Sequence, residues 1–425
     1  MANLLATELH QHIASFCMME TETDGAVMSI PLILWAPDLR TLSSFARTCS
    51  AIYSNVNWLL FDACRQYPAL GKRAVRYAVE HSQVELVVRL SAERIPLDGF
   101  LEGFWKTPPL FPTALILAAS NGDILMVHKL LELYGTRAAL EVYRGFPHTA
   151  LSQAVHKGSV DVVRALAGFH PADGQASFAT YPAYLGYAIY IGLRVEHARW
   201  RVDADAIQTS AEAVRVLLND YDADINFTSN SPTALYHAAR GGNVALVQLL
   251  LELGADPENP GDAYNGASWP LLVAAEHQHE DILTLLFDAG ADPRVRGRQG
   301  DSVLRAALRS SDPSRYLGLC RLLIAHGADV NARDQWDQTP LYYACGLPLN
   351  RPLLELFLNS GATESVNLKN SYGNSLARTP LDHLIERHGR DAVEVAESLF
   401  LPHVCAEDRI RVELMLEALK NGCYY

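Results

Sequence analysis

From about residue 70 onward the apolar positions fall in blocks of fixed order. Each block opens with Thr or Ser, or once Trp, followed by a short step to Leu and then a small residue. A polar turn comes next, then a Leu-rich run, then Gly-Ala-Asp or a variant of it. The clearest openings are Thr113-Ala114-Leu115, Thr149-Ala150-Leu151, Thr233-Ala234-Leu235, Trp269-Pro270-Leu271, Ser302-Val303-Leu304, Thr339-Pro340-Leu341 and Thr379-Pro380-Leu381. With a degenerate copy at Leu185, the marker leucines are spaced by 36, 34, 50, 36, 33, 37 and 40 residues. Thr or Ser ahead of the apolar run caps a helix, and Pro is tolerated in a first helical turn. Gly122, Gly158 and Gly242 fall where one helix must turn into the next, and a positive φ costs glycine little. Gly254, Gly290, Gly327 and Gly361 follow the second run as C-terminal caps do, and Pro257 and Pro293 block continuation. Each block is therefore predicted as helix, turn, helix and projecting loop.

Several features recur together at this period. Ala238-Ala239 and Ala274-Ala275 place small residues where helices must approach. Leu249-Leu250-Leu251, Leu285-Leu286 and Leu322-Leu323 supply the second run, and Gly254-Ala255-Asp256, Gly290-Ala291-Asp292 and Gly327-Ala328-Asp329 close the units. This pattern resembles the ankyrin repeat. The resemblance implies an all-α solenoid in which no unit buries its apolar face alone and neighbours share one core. It covers residues 70–402 in about eight to nine units, the first of them weak around Val75, Ala78, Glu85 and Leu86. An insertion is expected over 194–209, which includes Trp200, and Asp312-Pro313-Ser314 lengthens the unit that starts at Ser302. Residues 403–425 read as a C-terminal capping helix, with Ile410, Leu414 and Leu416 toward the array and Arg411, Glu413 and Glu417 outward.

Residues 1–66 follow a different pattern. Leu5, Leu9, Ile13 and Phe16 form one helical stripe, and Asp38 can cap a second helix carrying Leu39, Leu42, Ala46 and Cys49. The segments Leu5-Ala6-Thr7-Glu8-Leu9 and Asp38-Leu39-Arg40-Thr41-Leu42, followed by Ala46-Arg47-Thr48-Cys49, resemble an F-box as found in fungal F-box–ankyrin proteins. That resemblance implies docking on a Skp-type adaptor of a cullin–RING ubiquitin ligase, through Leu5, Glu8, Leu9, Ile13, Leu39, Leu42 and Cys49. Ala6 stands where the family has proline, and residues 17–37 exceed the usual link between the two helices. A helical cap on the first ankyrin unit is the alternative reading of residues 1–66.

Composition narrows the function classes. The 425 residues are 49% hydrophobic and 20% charged, as in folded globular chains. Lys and Arg total 35 against 48 Asp and Glu, a net charge of −13, which argues against a nucleic-acid partner. Seven scattered cysteines point to a reducing compartment rather than a disulfide scaffold. The first basic residue is Arg40, no apolar run reaches about 18 residues, and so an intracellular chain, cytoplasmic or nuclear, without membrane spans is expected.

The chain lacks the linear motifs of common enzymes: no phosphate loop, dinucleotide fingerprint, H-E-x-x-H, paired C-x-x-C or G-x-S-x-G. No catalytic, cofactor or metal site is expected. His277-Gln278-His279-Glu280 reads as a turn, in which Gln278 replaces the usual glycine, and His237 and His383 read as packing or surface residues of first helices. Candidate partner contacts are the basic loop residues Arg294, Arg296 and Arg298, suited to an acidic partner, and the aromatics Tyr264, Trp269, Trp336, Tyr342 and Tyr343. The expected function is non-catalytic protein binding on the concave face of the array, with the N-terminal module tethering the partner to a ligase. A scaffold or inhibitor without a ligase link is the alternative.

Overall fold

The computed structural model describes residues 61–62, 64–65, 68–99, 101, 113–135, 149–169, 182–193, 204–228, 232–260, 269–309, 312–371 and 378–421. The adaptor-binding candidates Leu5, Glu8, Leu9, Ile13, Leu39, Leu42 and Cys49 lie outside the described residues, as do Trp200 and Tyr264. The chain divides into two compact units, residues 1–150 with 170–175, and residues 151–169 with 176–425. Among the described residues both are built of helices and turns.

In the first unit, α1 (Pro68–Glu80) and α2 (Val84–Ala92) form one hairpin, and α3 (Ala114–Asn121) and α4 (Ile124–Tyr134) a second. Helix α1 lies against α3, and α2 against α4. Val75, Ala78, Val79, Val87 and Leu90 of the first hairpin are buried, as are Leu115, Ala118, Ala119, Met126 and Leu130 of the second. Thr113 caps α3 by accepting from the Ile116 N–H at 3.1 Å, Asp123 caps α4 through the Met126 N–H at 3.0 Å, and Gly122 turns the chain between them at φ 73°.

The second unit repeats this hairpin. Its first helices are α5 (Ala150–Lys157), α7 (Pro182–Gly192), α9 (Ala234–Gly241), α11 (Pro270–Glu276), α13 (Val303–Leu308), α15 (Pro340–Gly346) and α17 (Pro380–His388). Its second helices are α6 (Val160–Ala167), α8 (Ala204–Tyr221), α10 (Val244–Glu252), α12 (Glu280–Asp288), α14 (Tyr316–Ala325) and α16 (Arg351–Phe357). A short α18 (Val393–Val395), flanked by irregular helical turns, and α19 (Ala406–Lys420) end the chain. First helices stack in the row α9, α11, α13, α15, α17, and second helices in the rows α6, α8, α10, α12 and α14, α16. The small residues predicted for close approach sit at these contacts: Ala238, Ala239, Ala274 and Ala275 have no exposed surface, and Ala307 in α13 and Cys345 in α15 take the same place. Leu246, Leu250, Leu283, Leu286, Leu319, Leu323, Leu353 and Phe357 fill the layer between the rows.

Two details depart from the sequence expectation, and the expected turn at Gln278 carries an added contact. Of the insertion expected over 194–209, the described residues 204–209 are helical and belong to the 18-residue α8. Its added first turn runs over the α5–α6 turn: Ser210 Oγ donates to the His156 carbonyl at 3.2 Å, and Gly158 leaves no room for a Cβ beneath Thr209. Gln278 adopts φ 58° in the α11–α12 turn, a conformation that usually favours glycine. Its buried amide donates to the Asp312 carbonyl at 2.9 Å and so ties down the lengthened α13–α14 connection, a task glycine has no side chain to perform. In α19 the buried stripe is Val412, Leu416 and Leu419, while Ile410 and Leu414 are 68% and 60% exposed. Polar contacts to the preceding helical turns accompany this rotation. Arg390 Nε donates to the Leu419 carbonyl at 3.1 Å, Lys420 pairs with Glu397, and Arg411 pairs with Asp382 at 3.2 Å.

Candidate protein-interaction surface

The loops that enter successive first helices are built alike. Gly297 donates through its N–H to the Asp301 carbonyl at 2.8 Å, Asp334 to Gln338 at 3.1 Å, and Asn370 to Arg378 at 3.0 Å. The acceptor in each case is the residue before the Ser302, Thr339 or Thr379 cap, so helix entry and loop closure are fixed together. The closed loops are then joined sideways. The Gln335 N–H donates to the Gln299 carbonyl and the Ser371 N–H to the Trp336 carbonyl, both at 2.9 Å. The result is a continuous strip of main chain along one side of the first helices.

Asp334 organises the centre of this strip. Its carboxylate accepts from the Trp336 N–H at 2.8 Å, the Gln338 N–H at 2.9 Å and the Tyr343 hydroxyl at 2.9 Å, and pairs with Arg305 at 3.2 Å. The Asp334 side chain is 1% exposed, and those of Arg305 and Asp301, which also pair, are 12% and 13% exposed. Arg309 closes the other side of Asp301 at 2.9 Å. The Arg305 guanidinium carbon lies 4.3 Å from the Tyr343 ring centroid and 5.5 Å from that of Trp336, a cation–π arrangement. Burial, then the hydrogen bond to Asp334, raise the Tyr343 pKa well above the ordinary phenol value, so Tyr343 stays a donor. Sequence reasoning named Trp336 and Tyr343 but missed Asp301, Arg305, Arg309 and Asp334. The i,i+4 pair Asp301–Arg305 was the available signal; its counterpart Asp334 comes from the next unit and is brought in by stacking.

The remaining candidates separate into accessible and packed residues. Arg294 and Arg298 are exposed. Arg296 pairs with Asp329 at 2.9 Å, and its carbonyl accepts from Trp269 Nε1 at 2.8 Å, so Trp269 is anchored to the loop carrying Arg296. Tyr342 is buried. It stacks on His383 with centroids 4.5 Å apart and accepts from Asn370 Nδ2 at 3.1 Å, which places it in the α15–α17 packing rather than on the open surface. Arg296, Trp269, Tyr343 and Trp336 thus share one strip, while Tyr342 lies beneath it.

Two histidines and two cysteines outside the strip are occupied in packing. His237 sits between Tyr190 and Tyr236, each with ring centroids 5.5 Å away, and burial together with Arg240 lowers its pKa to about 4. His279 covers Gly242 and stacks on His277 at 6.0 Å, and burial lowers its pKa as well. Burial pushes the Cys64 thiol up to about 11 and Cys320 up to about 12, which removes both as nucleophiles at neutral pH. Among the described residues no three His, Cys, Asp or Glu side chains converge as a metal site, and no helix is long and apolar enough to cross a membrane.

A family profile of ankyrin repeats, in three copies, matches residues 204–297. Those residues span α8 to α12 and the basic loop carrying Arg294 and Arg296. The chain is 31% identical to an ankyrin repeat protein of fowlpox virus over 40% of its own length and 27% of the relative. It is 31% identical to an ankyrin repeat and KH domain-containing protein of Caenorhabditis briggsae over 33% of its length and 5% of the relative. It is 28% identical to human ankyrin repeat and SOCS box protein 6 over 50% of its length and 48% of the relative. The chain thus spans half or less of the length of these curated relatives. The structure and these similarities agree: the chain carries ankyrin repeats, which act as protein–protein interaction modules, in an all-α fold.

Proposed function

We propose that this chain is a non-catalytic, intracellular recruiting protein whose ankyrin array holds a protein partner for a cullin–RING ubiquitin ligase. The observation that carries the protein-binding half is the interlocked loop strip. Its main-chain bonds, with the Trp269 indole N–H on the Arg296 carbonyl, hold Trp269, Trp336 and the basic loop in place before any partner arrives, which lowers the ordering cost of association. In this reading residues 1–66 form an F-box-like module, residues 70–402 the array and residues 403–425 its cap. The ligase half is supported by the Leu5-Ala6-Thr7-Glu8-Leu9 and Asp38-Leu39-Arg40-Thr41-Leu42 segments, and linkage would act by raising the partner's local concentration. Two relatives, by their names, likewise join ankyrin repeats to a separate module.

The test is gel filtration of the full-length chain with a purified Skp-type adaptor. A stable complex is expected, lost on the double substitution Leu39→Glu and Leu42→Glu. A folded chain that passes through without retaining the adaptor removes the ligase link. The reading that then stands is an ankyrin scaffold or inhibitor, favoured by Ala6 in the proline position and by the long 17–37 segment.

A further inference from the structure

We infer that Arg294 and the main-chain N–H of Asp329 form a recognition site for a carboxylate side chain of a partner polypeptide. The inference rests on the array being a protein-binding surface and names what that surface reads at one point. It comes from a rung that repeats between the Gly-Ala-Asp loops. The residue two positions beyond the Asp of one loop reaches the Asp of the next loop. Asn226 Oδ1 accepts the Asp256 N–H at 2.9 Å, and Glu258 Oε1 accepts the Asp292 N–H at 3.0 Å. In the following unit this position is Arg294, whose guanidinium has donors and no acceptor. The Asp329 N–H meets no acceptor among the described residues, and the Arg294 side chain makes no ion pair or hydrogen bond among them.

Both groups line a shallow cleft of about 460 Å³, together with Ile324, Ala328, Val330 and Ser360. Nearby carboxylates are already engaged: Asp329 pairs with Arg296, and Asp292 accepts the Arg294 N–H at 2.9 Å. The cleft therefore offers a guanidinium and a main-chain donor above an aliphatic lining. The complement is an acceptor-only anionic group on a short aliphatic stem, which is what Glu or Asp presents. Because the cleft is shallow, a lone carboxylate gains little there. A polypeptide adds contacts on neighbouring loops, and that selects a protein as the source.

The test uses the ¹⁵N-labelled full-length chain and three probes: a 12-residue Ala/Gly peptide carrying three Glu, the same peptide with Gln in their place, and acetate. The Glu peptide is expected to shift the Asp329 amide saturably, and the Gln peptide and acetate at the same concentration to leave it in place. Arg294→Asn puts an acceptor back on the rung. It is expected to slow Asp329 amide exchange at least tenfold and to weaken the Glu peptide at least tenfold, with the circular dichroism spectrum unchanged. An Asp329 amide that ignores the Glu peptide, or that responds equally to Gln, to acetate or in Arg294→Asn, overturns the site. Shifts by the Glu peptide confined to other loops also overturn it, while leaving the array's role as a protein-binding surface standing.

Discussion

Leu250 and Asp334 show how single residues are held by opposite means. Leu250 has no exposed surface and packs between rows of helices, so Leu250→Ala should cost about 2–5 kcal/mol by chemical denaturation. An unchanged midpoint would remove Leu250 from the core. Asp334 is as deeply buried on its side chain, but its worth lies in four polar partners. Asp334→Ala leaves Arg305 with Asp301 as its remaining carboxylate and strands two main-chain donors and the Tyr343 hydroxyl, and a loss on the order of 3 kcal/mol is expected. Histidine 237 adds a pH dependence. Its folded pKa, about 4, lies below the ordinary 6.5, so the unfolded chain binds the proton first. Its contribution is fully present above about pH 6.5 and is lost as pH falls toward 4. The His237 ring resonance should stay that of neutral imidazole at pH 5.5; a midpoint near 6.5 would contradict the packing against Tyr190.

Elements are decided by caps and by the choice of face. Thr379 caps α17 reciprocally with Asp382, the two exchanging side-chain and main-chain bonds at 3.0 and 3.2 Å. Thr379→Ala should cost about 0.5–2 kcal/mol, read from the thermal or urea transition. The C-terminal helix α19 carries two competing apolar stripes, Ile410 with Leu414, and Val412 with Leu416 and Leu419. The structure buries the second. Val412→Asp should therefore destabilise strongly, whereas Ile410→Asp should change stability by no more than about 0.5 kcal/mol. Reversal of that order in paired melting curves would mean that the helix is rotated. The turn at Gln278 belongs to the same scale. A residue at positive φ looks like a defect in the repeat until Asp312, 34 residues on, appears as its partner.

Within each unit, contacts among the described residues run between successive hairpins, which is why the repeat was legible from the chain alone. Thr and Ser caps, glycine turns, paired small residues and the Leu run are local signals, and each returns at the same offset. They determined the helices, their order and the burial of Leu235, Leu271, Leu304, Leu341 and Leu381. The surface was less legible, because its residues are paired across units by stacking. Asp334 with Arg305, Trp269 with the Arg296 carbonyl, and Tyr342 with His383 are each joined by geometry that no local spacing encodes. The sequence by itself determined a succession of helical hairpins that must stack, since none can bury its apolar face alone. Only the tertiary structure decided which aromatic and charged residues of those hairpins face a partner and which are spent on each other, because that depends on how neighbouring units meet.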